Sequence, residues 1–150
     1  MRLKPHTLAA LIAAITFFWG AQFLRAALTP APSAAFVVEE AGGIPDAVSS
    51  RFAAALRAEL IRRGHHDDKA ERVIGLVVWV GIGEPQDGKR LVTIDWKVRD
   101  GATGKRLGTV RQTNHVPADI DEAVLWNAIM GDGIEAAVRG LVKLSSGAAS

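Results

Sequence analysis

The chain reads as an α+β domain: a two-layer sandwich of order β-α-β-β-β-α, with both helices on one face of a mixed four-stranded sheet and an N-terminal hydrophobic helix in front. Three observations carry this. Val48, Phe52, Leu56 and Leu60 recur at four-residue spacing, which makes one apolar helical stripe. Three strand-like runs follow, separated by short Gly/Asp-rich turns. A second helical stretch then presents Leu125, Ile129, Ile134, Val138, Leu141 and Val142 on one side. Amphipathic helices beside a half-polar sheet pack most economically as two layers, with the other sheet face wet.

The elements follow in order. Phe36–Glu39 is a short strand closed by Gly42-Gly43. Pro45 suits the first turn of the first helix, and Asp46 suits the positive end of its dipole. Arg62-Arg63-Gly64 ends it, with cations on the last turn and a glycine able to take the left-handed cap. Val73–Gly83 is nearly all apolar, as expected of a strand in the middle of the sheet or covered on both faces. In Leu91–Arg99, Val92, Ile94, Trp96 and Val98 alternate with Thr93, Asp95, Lys97 and Arg99, the pattern of a half-buried strand. Lys105–Val116 changes parity between Leu107 and Val110, which predicts a bulge at Gly108. The first two strands are expected to be parallel, joined by a right-handed crossover. Asp119-Ile-Asp-Glu122 has the spacing of a capping box for the second helix. Gly131-Asp132-Gly133 in its middle predicts a kink or break.

Ahead of this domain, Arg2 and Lys4 precede an apolar run from Leu8 to Leu24. A positive flank followed by a helix-length apolar segment marks a chain handed to an export machinery. Residues 1–28 are read as a signal-anchor or a signal peptide, 29–35 as a Pro/Ala linker, and 36–150 as a periplasmic α/β domain. The long run favours an anchor that holds the chain in the inner membrane through residues 8–28, N-terminus inside. The alternative is a free periplasmic domain after cleavage near Ala35, where Ser33-Ala34-Ala35 offers small residues. The chain has no cysteine, so neither a lipidated N-terminal cysteine nor a disulfide is available.

The formal charge of +2 belongs to the leader. Without Arg2, Lys4 and Arg25 the remainder carries 15 basic and 16 acidic residues, and this balance gives no nucleic-acid footprint. No catalytic residue, cofactor site or metal site is expected. His65-His66-Asp67-Asp68 lacks the i, i+4 spacing that sets two imidazoles on one helical face, so it reads as a solvated loop. Asp119, Asp121 and Glu122 read as helix caps, and Gly81-Ile-Gly83 and Gly101-Ala-Thr-Gly104 as turns lacking the lysine of a phosphate loop. Lys97, Arg99, Lys105, Arg106 and Arg111 gather along one hairpin as a candidate surface for an anionic partner. Trp79, Trp96 and Trp126 are expected in the core; exposed instead, one of them would mark an interface.

The succession Val73-Ile-Gly75-Leu-Val, Val92-Thr-Ile-Asp-Trp96-Lys-Val-Arg-Asp100-Gly101-Ala-Thr-Gly104-Lys-Arg-Leu-Gly108 and Gln112-Thr-Asn-His-Val-Pro117 resembles small exported α/β domains of bacterial envelope lipoproteins. It looks most like alphaproteobacterial ones, and more distantly like the TolB amino-terminal domain and LpoB. The resemblance implies a non-enzymatic domain, one sheet with helices on one side, that works through protein contacts in the envelope. Those relatives often begin with a lipidated cysteine, which this chain lacks. The expected function is therefore an envelope accessory or scaffold protein whose partner is another envelope protein. A small-ligand or glycan-binding periplasmic domain is the alternative, and a hydrolase with dispersed residues ranks last.

Overall fold

A computed structural model describes residues 33–147 of the chain, so the expected anchor, residues 1–28, lies outside the described residues. Strands β1 (Ala35–Gly42), β2 (Val73–Ile82), β3 (Lys89–Asp100) and β4 (Arg106–Pro117) form one sheet in that spatial order. β1 runs parallel to β2, and β2–β3 and β3–β4 are antiparallel. Helix α1 (Asp46–Arg62) connects β1 to β2. After β4 come α2 (Glu122–Ala128), a π-helical turn (Ile129–Gly133) and α3 (Ile134–Gly147). This is the mixed four-stranded α+β architecture expected. Among the described residues, no helix is long and apolar enough to cross a membrane.

Helix α1 buries the four residues of its stripe and nothing else of its length. Its C-terminus closes as a Schellman motif: the His65 N–H donates to Leu60 O (2.9 Å) and the Gly64 N–H to Ile61 O (2.9 Å), with Gly64 at φ 73°. At the N-terminus Pro45 occupies the cap position ahead of the helix rather than its first turn. The hairpin between β2 and β3 turns on Asp87 (φ 51°) and Gly88 (φ 72°), a pair of positive φ values that Asp-Gly accepts readily. The bulge expected in β4 is present: Val98 pairs with Gly108 and Arg99 with Arg106, leaving Leu107 as the extra residue. Gly108 is also where α3 comes close, since a Cβ there would lie 2.6 Å from the Leu144 side chain.

Two further expectations change. The cap of α2 is Asp121, whose carboxylate accepts from the Val124 N–H (3.2 Å); Asp119 lies too far upstream. The interruption expected at Gly131-Asp132-Gly133 is present as a π-helical turn, Ile129–Gly133, between α2 and α3. Ala34 and Ala35, assigned to the linker, belong to the domain. Ala34 is 1 % exposed and exchanges backbone hydrogen bonds with His65 and Asp67, and the Ala35 N–H donates to Arg72 O (2.9 Å).

The core lies between the helices and one sheet face. Ile74, Leu76, Val78, Val80, Val92, Ile94, Trp96, Val98, Val110 and Val116 meet the helix stripes there. Phe52 of α1 stacks on Trp96 with ring centroids 5.7 Å apart and an interplanar angle of 21°. One polar side chain is built into this layer. Gln112, 4 % exposed, accepts from Trp96 Nε1 (2.9 Å) and donates to Gly133 O (3.0 Å), fastening the π-helical turn to β3 and β4.

Candidate functional site: the open sheet face

Strand alternation sends every second side chain to the face without helices. The registers define its rows: Val37, Gly75 and Arg99; Glu40, Val77, Lys97 and Thr109; Gly42, Trp79, Asp95 and Arg111; Gly81, Thr93 and Thr113. Trp79 is 57 % exposed in the middle of this face. That corrects its expected core position, while Trp96 and Trp126 are buried as expected. β2 is central in the sheet but covered on one side only, and Val73 (36 %) and Val37 (47 %) join Trp79 as exposed apolar residues.

The Trp79 ring has a definite seat. A Cβ on Gly42 would collide with it, so the indole lies against the edge strand where only glycine leaves room. Glu39 uses the same device further along the ladder, its carboxylate occupying the space that a Gly75 Cβ would need. The bulge between Val38 and Glu40 brings Glu39 and Glu40 together at this edge.

The basic cluster divides. Arg111 forms a two-pronged pair with Asp95, Nε–Oδ1 2.6 Å and Nη2–Oδ2 3.0 Å, and that bonding raises its pKa further above the ordinary arginine value. Arg106 donates to Thr109 Oγ1 (2.6 Å), and Lys105 sits in the β3–β4 turn. Lys97 and Arg99 have no ion-pair partner among the described residues, and neither have Glu39 and Glu40. The open face thus carries unpaired acids on β1, an apolar centre on β2 and unpaired bases on β3.

His65 and His66 do not form a joint site. His66 Nδ1 accepts from the Phe36 N–H (3.1 Å), which leaves the proton on Nε2 to donate to Asp68 Oδ1 (2.8 Å). Arg57 pairs with the other Asp68 oxygen. The hydrogen bond from His66, then the nearby Arg57 charge, hold the Asp68 carboxyl below its ordinary range. His66 is thus a strut that closes the outer side of β1 at its start, with both nitrogens spent. His65 is half-buried, and burial, followed by the Arg63 charge, lowers its pKa. Among the described residues no cluster of three His, Asp or Glu side chains could hold a metal ion. Glu84, Gln86, Asp87, Lys89, Leu91 and His115 line a shallow cleft of about 460 Å³ at the β2–β3 turn.

No family model matches the chain, and no curated protein matches it. Solved structures with some likeness include a PelC dodecamer from Paraburkholderia phytofirmans, at 15% identity, covering 72% of this chain and 93% of that one, TM-score 0.39. A DUF330 protein from Xanthomonas campestris shares 11% identity over 80% of this chain and 95% of its own, TM-score 0.48. A minor lipoprotein from Acinetobacter baumannii shares 9% over 73% and 93%, TM-score 0.42. At such identities and TM-scores a likeness assigns neither family nor role to this chain.

Proposed function

We propose that this chain is a non-enzymatic accessory or scaffold protein of the bacterial envelope, tethered to the inner membrane and acting through protein contacts of its periplasmic domain. The observation that carries the reading is Trp79, a large aromatic seated on Gly42 at the centre of an open sheet face and more than half exposed. Interfaces favour a rigid aromatic anchor with charged residues around it, and this face has that order. The distant relation to the TolB amino-terminal domain and LpoB belongs to the same reading. The pinned start of β1 supports retention of the leader, because cleavage after Ala35 would remove the buried Ala34 and the bonds that fix the edge strand.

The test is recovery of partners from envelope fractions by the full chain, in parallel with the Trp79→Ala variant. The expected result is an envelope protein retained by the wild type and lost from the variant; recovery of cytosolic proteins alone would sink the reading. The cleft at the β2–β3 turn favours a second reading, a small-ligand or glycan-binding domain. Thermal stabilisation by an envelope metabolite, lost in His115→Ala, would support it.

A further inference from the structure

The charges that the open face leaves unpaired have a geometry of their own. Glu40, Val77 and Lys97 stand in one row across β1, β2 and β3, and Val37, Gly75 and Arg99 in the next, with Glu39 lying over Gly75. Neighbouring strands are about 4.8 Å apart, so the Glu40 and Lys97 backbones are separated by roughly 10 Å, and the two side chains do not pair within one copy. A two-fold axis lying parallel to β2, midway between two facing sheets, would carry β1 of each copy over β3 of the other without shifting the rows. Glu40 of each copy then faces Lys97 of the other, and the apolar β2 side chains lie along the axis.

We propose that the open face binds a second copy of this chain, face to face about that axis. The inference rests on the reading of this face as a protein-contact surface and names its partner. Four features support it together. The acidic and basic strands are equidistant from β2, which is the requirement of a self-complementary patch. The facing charges, Glu40 and Lys97, lack an ion-pair partner among the described residues. The competing charge, Asp95, is already neutralised by Arg111. Each Trp79 ring tilts over its own Gly42, so two rings fit side by side in the roughly 10 Å layer between aligned sheets rather than colliding.

The absence of cysteine makes the test clean. The full chain is expressed in bacterial membranes with a single Val77→Cys or Thr113→Cys and treated with a short thiol-to-thiol cross-linker. Val77 lies on the axis and should cross-link to its own copy; Thr113, two strands away, should not. In the Val77→Cys background, Glu40→Lys and Lys97→Glu should each abolish the dimer, since each sets like charges face to face. Co-expressed with different tags, the two variants should regain it as a mixed dimer, which also shows that both fold. No cross-link at position 77, or one that survives both charge reversals, overturns the proposal. Recovery of an envelope partner by a chain that never cross-links overturns the dimer too, while leaving the contact reading in place.

Discussion

Replacing Gln112 by leucine removes the side chain that hydrogen-bonds the π-helical turn to the sheet. Trp96 Nε1 and Gly133 O both lose their partner, and neither reaches solvent: Trp96 is 0 % exposed and Gly133 is buried. A buried polar group left without a hydrogen bond costs about 1–3 kcal/mol. Leucine fills a similar volume and returns on the order of 1 kcal/mol of apolar burial. With two groups stranded, the net loss should be about 1–5 kcal/mol, or roughly 10 °C in Tm at the middle of that range for a domain of this size. The assay is thermal and urea unfolding of the full chain in mild detergent, followed by circular dichroism. A double-mutant cycle isolates the cause, because Trp96→Phe removes the stranded donor. Its cost should be smaller in the Gln112→Leu background than in the wild type, by about 1–2 kcal/mol. A neutral Gln112→Leu, or costs that simply add, would show that the amide is not needed as a bridge.

Other outcomes follow from the same structure. Phe52→Ala should cost about 3–5 kcal/mol in urea unfolding, since it empties a fully buried position against Trp96. Asp68 has its folded pKa lowered, so its stabilising contribution is complete above the ordinary value of 3.8 and disappears as pH falls through the folded value. The stability gap between wild type and Asp68→Asn should therefore close on acidification below that value. Asp132 has the opposite sign: burial, then the neighbouring Glu135, raises its pKa. Stability that favours its neutral form is present below 3.8 and is lost as pH rises through the folded value, so Asp132→Asn should be the more stable chain at pH 7 and lose that advantage in acid.

Local chemistry made much of the fold legible. The four-residue stripe of α1, the Asp87-Gly88 turn and the parity change at Gly108 each have a local physical cause, and each expectation matches the structure. The open face was not legible in the same way. β2 is apolar at both parities, so periodicity alone could not say which of Trp79 and Val78 faces the helices; pairing with the cleanly alternating β3 decides it. A signal did exist, because Gly42 and Gly75 stand where a bulky neighbour needs room, but the partner of each is fixed only by strand register. His66 was hidden for a similar reason: its two bonds reach Phe36, thirty residues away, and Asp68, two residues on, so its role depends on where β1 lies. Asp121 prevailed over Asp119 as cap because the helix starts two residues later than the capping-box spacing implies.

Export of the domain and use of its open sheet face for contacts are tested together by thiol labelling in intact cells with a reagent that crosses only the outer membrane. Val37, 47 % exposed on the open face, and Thr103, exposed in the β3–β4 turn, are each replaced singly by cysteine in the full chain. Position 103 should label promptly and position 37 should be protected, with that protection lost when the same chain is diluted in detergent. No labelling at 103 would contradict export, and equal labelling at both positions would contradict an occupied open face.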